Sequence, residues 1–576
     1  MLELKGVPPD EDLIAAWRGR VERAGTRLGW TLRRAVARRH AGGASLAITA
    51  PQDQLFLATE VNEWALCAAL LERDPNRWRG LGEALAAEAF QAAEDGTNPA
   101  AVIPPVLEES AAISRFLRLA SLESQPKLRA LLDAAAARSL PYVIDESQLT
   151  LGAGVGSRDF PMSDLPDAAQ VPWQELRDIP IALVTGSNGK TTTVRLLAAC
   201  ARKQGWHAAY NCTDGVFLDD EALVLGDYSG PAGARRVMRE RRAEAAILET
   251  ARGGILRRGI AVSQVDAAVV TNVSSDHFGE YGIETLAGLA EVKLAVAGAV
   301  KPRGLLVLNA DDEELRAQAE RLAGRFGREL PLAWFAVGPD QERLRDYGAR
   351  GASTCGVRDG RLHLRYAGVE HDLGPIESMP LSMGGIAAYN VANMAGAALA
   401  AAALGIAPAA IAAVLARFGS RLEDNPGRMM RFDVGGVKVL VDYAHNPDGL
   451  RGFLKVADHL RGGTGRLGLI LGHAGNRADV DIEELAKVAA EFRPDLVVVK
   501  EDEEHLRGRA PGEIPRIIRA KLESLGLPDS ALPVAMSELE AARRALDWAR
   551  PGDVLALPVH SSKARAAVVE MLNATR

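Results

Sequence analysis

Val184-Thr185-Gly186-Ser187-Asn188-Gly189-Lys190-Thr191-Thr192-Thr193 decides how the rest of this chain is read. The apolar run before it, Ile179-Pro180-Ile181-Ala182-Leu183-Val184, reads as a buried parallel strand, and Thr193-Val194-Arg195-Leu196-Leu197-Ala198-Ala199 continues as a helix. A glycine-rich turn between strand and helix suits phosphate: the backbone comes close, the N–H groups of the helix start point inward, and the helix dipole favours negative charge. Gly186, Ser187, Asn188 and Gly189 would form the cradle. Lys190 would lie along the β/γ-phosphates, and the hydroxyls of Thr191 and Thr192 would face the phosphate and a Mg²⁺ ion. Val184 stands where the longer form of the motif has its first glycine, so the pattern is the shorter G-x-x-G-K-T-T.

Working outward, the chain from Ile179 to about Ser420 alternates strands and helices, which predicts a mostly parallel α/β sheet. Candidate strands are Ala245–Glu249, Ala267–Asn272 and Gly304–Asn309, each ending in polar residues where open α/β sheets bind ligands. The stretch from Pro331 to Pro380 reads as a β-rich insertion. Asn425-Pro426-Gly427 is a turn and the expected boundary to a second α/β pattern, with strands near Val437–Val441, Arg466–Leu471, Leu496–Lys500 and Val554–Pro558. That region has no phosphate loop of its own and is expected to complete a site. Before residue 175, Ser45–Thr49 and Gln54–Ala58 read as short strands and Glu60–Gln91 and Glu108–Arg138 as helices. Leu151-Gly152-Ala153-Gly154-Val155-Gly156 reads as a loop, because proline breaks at Pro161 and Pro166 follow it instead of an apolar helix. The expected domains are therefore 1–175 (α+β), 176–424 (P-loop parallel sheet) and 425–576 (Rossmann-like α/β).

Composition narrows the class. At 576 residues the chain is too long for one core, and 48% hydrophobic with 25% charged residues fits a folded soluble protein. A net charge of −7 gives no bulk electrostatic reason to bind nucleic acid. Four scattered cysteines, Cys67, Cys200, Cys212 and Cys355, argue against a disulfide framework or a thiolate zinc site. No basic start with an apolar core opens the chain, and the apolar stretch Met394–Ala413 is rich in alanine and glycine and interrupted by Pro408. The expectation is a cytoplasmic protein with no membrane partner, its assembly into homo-oligomers left open.

Polar residues after the strands supply candidate chemistry. Glu249, at a strand end facing the phosphate loop, is a hard-oxygen ligand for Mg²⁺ or a surface acid in a glycine-rich turn. His277, in Thr271-Asn272-Val273-Ser274-Ser275-Asp276-His277, is a ligand or a hydrogen-bonded structural histidine. Lys293 lies within the predicted helix Glu284–Val300 among apolar neighbours and can simply snorkel. Asn309-Ala310-Asp311-Asp312 ends a strand and opens a helix, with Asp311 as the expected N-cap. Arg428 lies in the boundary turn, and Asp442-Tyr443-Ala444-His445-Asn446-Pro447 follows a strand of the last region.

Taken in order, Thr185–Thr192, Glu249, Thr271-Asn272 with Asp276-His277, Lys293, Asn309–Asp312, Asn390 with Asn393, Arg428 and Asp442–Pro447 resemble the Mur ligase family of ATP-dependent amide-forming enzymes. The resemblance implies ATP and two Mg²⁺ ions as cofactors. Lys190 and Thr191 would hold phosphate and metal, Glu249 would share that metal, and His277 would bind the second. Lys293 would be carbamylated, Asn309 and Asn393 would face the nucleotide, and Arg428 and Asp442 would close over it. The acyl phosphate of a carboxylate substrate would then meet an amine. Cys212-Thr213-Asp214-Gly215, Gly226–Pro231, Leu248–Leu256, Asn425–Arg428 and Leu506–Glu513 resemble most closely the Mur-ligase-like part of cyanophycin synthetases, and Leu131–Pro141 with Asp145–Gly152 resembles the segment before their ATP-grasp core. Only residues 153–184 separate that segment from the phosphate loop, so the ATP-grasp domain has no room. Tyr389, where many family members have histidine, and His473 and His560 depart from the pattern and leave the amine open. Rival readings are a P-loop ATPase or kinase, an accessory subunit of a full-length cyanophycin synthetase, and a peptidoglycan- or folate-type ligase.

Overall fold

The computed structural model describes residues 2–575 apart from 8, 32–33, 41, 79, 81–107, 276–277, 279, 339–341, 476 and 502–505. The chain divides into two compact units, Met1–Ser139 with Phe160–Trp173 and Gly279–Ile283, and Leu140–Asp159 with Gln174–Phe278 and Glu284–Arg576.

In the first unit, an antiparallel sheet places Gly43–Ile48 between Leu2–Lys5 and Ala35–His40. The helices Glu11–Arg27, Leu55–Arg73 and Glu109–Glu123 pack around the buried Trp17, Trp64 and Phe116. Gln54–Ala58, expected as a strand, is instead the start of the helix Leu55–Arg73. Leu57, Val61, Trp64 and Ala65 recur at helical spacing and are all buried, so a short apolar run read as a strand belonged to a longer period. The far end of the expected Glu60–Gln91 helix lies outside the described residues.

Among the described residues, the second unit holds two large sheets beside the small antiparallel pair Tyr142–Ile144 and Gln148–Leu151. The larger has eleven strands, and its parallel heart runs Ala208–Cys212, Ala245–Glu249, Ile181–Thr185, Val265–Val270, Val300–Asn309, Leu332–Ala336, Ser353–Arg358. Ile181–Thr185 is buried at every position, as a strand covered by helices on both faces must be. Antiparallel hairpins finish both rims: Gly215–Leu218 with Glu221–Leu225 on one side, Arg361–Tyr366 with Val369–Pro375 on the other. The stretch Pro331–Pro380 is therefore no insertion. Its strands continue the central sheet, and the core of Phe335, Cys355, Leu362 and Leu364 is continuous with that of the phosphate-loop helix. The helix Ala388–Ala403, half of whose buried residues are alanine, lets the sheet and the helix Lys190–Gln204 approach closely.

The smaller sheet has six strands in the order Met430–Val434, Val437–Asp442, Val554–Pro558, Leu467–Leu471, Leu496–Lys500, Val534–Ala535, all parallel after the opening hairpin. Apolar cores lie on its two faces. The glycine run Gly152–Gly156 is a tight turn with a short 3₁₀ segment, its Val155 N–H bonded to the Ala243 carbonyl at 2.8 Å. Among the described residues no helix is long and apolar enough to cross a membrane.

Candidate functional site

The strand Ile181–Thr185 ends at Gly186, and the helix Lys190–Gln204 begins at Gly189. Gly189 has φ +84°, and a Cβ there would lie 2.1 Å from the Asn393 side-chain oxygen, so only glycine fits. Among the described residues no side chain caps this helix, which leaves its first-turn N–H groups available to an anion. The loop is held from the neighbouring strand end. Asn188 N–H donates to the Asn272 side chain at 2.9 Å, Ser187 N–H to the Asn272 carbonyl at 2.9 Å, and Ser274 N–H to the Ser187 hydroxyl at 3.0 Å. Lys190 Nζ folds back onto the Gly186 and Ser187 carbonyls, at 3.1 and 3.0 Å.

Glu249 ends the adjacent strand with no exposed surface. Its carboxylate accepts from the Thr191 hydroxyl at 2.8 Å and the Thr213 hydroxyl at 3.3 Å. Burial pushes its pKa up, against the opposing pull of Lys190, the Thr191 hydrogen bond and Arg428. Hydroxyl and carboxylate together form an all-oxygen donor pair that fits a hard cation such as Mg²⁺. Among the described residues no group of three or more His, Cys, Asp or Glu side chains is placed to hold a metal, so an ion here would complete its shell with phosphate and water oxygens.

These groups line one cleft of about 360 Å³ whose far wall comes from the six-stranded region. Asp442 ends its strand there and accepts from the N–H groups of Met429 at 2.6 Å and Ala444 at 2.9 Å, burial raising its pKa against the pull of Arg428. The Arg428 guanidinium stacks over Tyr443, 4.3 Å from the ring centre. Asn446 caps the helix Pro447–Arg461 through Gly449 N–H, and its amide reaches across to the Asn188 side chain at 2.8 Å. One residue thus serves the helix of one region and the loop of the other.

The residues singled out from the sequence fall as follows. Ser187, Asn188, Gly189, Lys190, Thr191, Thr192, Glu249, Asn309, Asn393, Arg428 and Asp442 all line the cleft, and Gly186 contributes its carbonyl to Lys190. Asn309 donates to the Thr271 carbonyl at 3.1 Å and accepts from Asp311 N–H at 2.9 Å, which fixes the strand end. Lys293 is buried at the end of the helix Leu286–Lys293, outside the lining of this cleft, and a 3₁₀ turn, Leu294–Ala299, replaces the rest of the expected helix. His277 and Asp276 lie outside the described residues. Asp312, not Asp311, caps the helix Glu313–Ala319, accepting from Leu315 N–H at 3.0 Å. Asp311 instead binds the N–H groups of Val337 and Gly338. Thr213 carries no expected role from the sequence. The signal was a hydroxyl following the strand Ala208–Cys212, which pairs directly with the strand of Glu249.

The Mur ligase middle domain model matches residues 184–401, and that of the Mur ligase, glutamate ligase domain matches residues 427–557. A cyanophycin synthetase of Trichormus variabilis is 37% identical over 396 residues, covering 68% of this chain and 42% of that protein. The chain thus spans less than half the length of that curated relative. The UDP-N-acetylmuramoyl-L-alanyl-D-glutamate–2,6-diaminopimelate ligase of Xanthomonas campestris is 30% identical over 382 residues, covering 65% of this chain and 70% of that enzyme. A Mycobacterium tuberculosis folylpolyglutamate synthase complexed with ADP shares the fold, with a TM-score of 0.51 at 15% identity over 68% of this chain and 90% of that one. By its two matched domains and these relatives, the chain belongs to the Mur ligase family.

Proposed function

We propose that this protein is an ATP-dependent carboxylate–amine ligase, ADP-forming, acting on an amino acid or an aspartate- or arginine-containing peptide. The observation that carries the reading is the placement of an uncapped, glycine-started helix, Lys190 and the Thr191–Glu249 pair in one cleft, with Arg428 and Asp442 on the opposite wall. Both the substrate carboxylate and the phosphate chain of ATP are anionic, so their approach needs positive charge held in place beforehand. Lys190 and the helix start supply it from below, and Arg428 from the side of the six-stranded region. Thr191 and Glu249 would hold Mg²⁺, which would supply Lewis-acid neutralisation of the phosphate oxygens. The wall formed by Asp442–Gly449 keeps water from the activated carboxyl until an amine arrives. His277 as holder of a second Mg²⁺ and a carbamylated Lys293 belong to the same proposal, as do the functional parts 1–175, 176–424 and 425–576 and a cytoplasmic setting with ATP at hand.

The test is phosphate release from Mg-ATP, with candidate carboxylates (aspartate peptides, β-aspartyl-arginine, cyanophycin primers) crossed against candidate amines and products followed by mass spectrometry. Release that needs both partners, with a product lighter by one water than their sum, is the expected result. Turnover that ignores the amine and yields no coupled product would leave an ATPase and sink the ligase.

A further inference from the structure

Arg195 lies four residues beyond Thr191, one turn along the same face of the phosphate-loop helix. It is 5% exposed, and a guanidinium so buried must be paired to be tolerated. Its partners come from two directions. One nitrogen donates to the Pro426 carbonyl at 2.8 Å, in the turn that leads into the six-stranded region. The other donates to Asp214 at 2.7 Å. The second oxygen of Asp214 accepts from Arg565 at 2.5 Å, and Arg565 belongs to the final helix Ser562–Ala574. One carboxylate is therefore shared by a cation from the nucleotide-loop helix and a cation from the last helix of the chain. Burial works against its ionisation, yet Arg195, Arg428 and Arg565 together hold its carboxyl below the ordinary carboxylate range.

Two further contacts bind this cluster to the cleft. Asn425 donates to the Thr192 hydroxyl at 3.2 Å, so the turn touches the helix that begins at the phosphate loop. Thr213, the residue before Asp214, donates to Glu249. Gly427 in the same turn has φ +72°, and a Cβ there would lie 2.7 Å from three atoms of the Arg565 side chain; glycine is what lets Arg565 pass.

We propose that Asp214 is a positioning residue, the pin of a two-arginine clasp by which Arg195 and Arg565 fasten the six-stranded region against the phosphate loop while Thr213 holds Glu249 toward Thr191. Its consequence for turnover rests on the ligase reading; the clasp itself does not. Breaking it loosens the turn at 425–430 and the final helix and leaves the cleft open more of the time, so that the reacting groups meet less often in their productive arrangement.

The experiment uses the full chain and three variants: Asp214→Asn; Arg565→Ala, which removes only the outer arm and leaves the buried Arg195 paired; and Arg565→Lys, which keeps the charge. Amide hydrogen exchange is measured without substrates, and phosphate release with the pair the wild type uses. Asp214→Asn and Arg565→Ala are expected to speed exchange at 425–430 and 562–574 by at least about tenfold while 300–309 and 467–471 keep their protection. In the same two variants kcat falls by roughly tenfold or more with a smaller change in KM for ATP, and Arg565→Lys recovers part of both effects. Unchanged exchange at 425–430 in both Asp214→Asn and Arg565→Ala overturns the clasp, as does exchange that rises uniformly through the chain. A wild type that couples no carboxylate to any amine counts against the ligase reading alone, because the exchange arm decides the clasp without substrate.

Discussion

Two helices of the second unit begin the same way. Lys190–Gln204 starts at Gly189 and Glu513–Ser524 at Gly512, each glycine left-handed and without a side chain of its own to cap the helix. At Gly512 the N–H is taken by the buried Glu501, which follows the strand Leu496–Lys500, so the protein's own carboxylate sits where an anion would. At Gly189, among the described residues, no carboxylate bonds the N–H, and the loop opens on the cleft. Lysines repeat the contrast. Lys500 is fully buried, its ammonium consumed by Glu538 and the Pro558 carbonyl, whereas Lys190 rests on two loop carbonyls within reach of the cleft. The same backbone device is thus internally neutralised in one region and left available in the other. Having the motif geometry and having the site are different things, and what separates them is whether a side chain already occupies the anion's position.

That comparison can be broken at several points. Lys190→Ala should lower phosphate release by roughly a hundredfold to a thousandfold, the range for losing one preorganised charge-stabilising donor. A variant that turns over normally would mean that Lys190 is as structural as Lys500. Gly189→Ala forces a Cβ into the Asn393 side chain and strains the backbone, and should abolish ATP binding in a calorimetric titration. Gly512→Ala meets nothing within 4 Å and should lower stability by only about 1–2 kcal/mol, the left-handed strain alone. Equal effects at the two glycines would erase the distinction. Glu501→Ala leaves the Gly512 N–H without its acceptor and should cost about 1–3 kcal/mol in urea unfolding, with phosphate release untouched. The gentlest probe is pH. Lys500, His560 and two backbone N–H groups hold the Glu538 carboxyl down to about 2 against burial, from its usual 4.5. A depressed acid gives its full stability above its unfolded value and loses it as pH falls through the folded one. Denaturation midpoints should therefore hold above pH 4.5 and decline between 4.5 and about 2, with Glu538→Gln flattening that decline.

Much of this was legible in the chain. Val184–Thr193 announced its strand, turn and helix because glycine, lysine and hydroxyl residues there satisfy a local geometric demand, and the strands Ala245–Glu249, Leu496–Lys500 and Val554–Pro558 stand where apolar runs end in polar residues. What stayed hidden depended on distance along the chain. Nothing local in the sequence marks Asp214, Arg195 and Arg565 as partners; only the fold brings positions 195, 214 and 565 together. Asp311 is the expected cap by sequence and Asp312 the actual one; the N–H groups that separate them, of Val273 and Val337, lie beyond the ends of other strands. Pro331–Pro380 read as a separate insertion because the alternation of strand and helix gives way there to consecutive strands, a change that the antiparallel rim of one continuous sheet also produces.

Those rims bear on how the molecule can vary. Both ends of the eleven-stranded sheet are closed by reversing hairpins, so the parallel centre never presents its own edge. The outermost turn, Ala367-Gly368, carries an alanine with φ +49°, and Gly368 has open space around it. A segment lengthened or a reporter spliced at that turn would sit several strands away from Glu249 and Lys190. The architecture leaves its outskirts free to be rewritten by length and composition, while the strands that carry the chemistry are fenced in on either side.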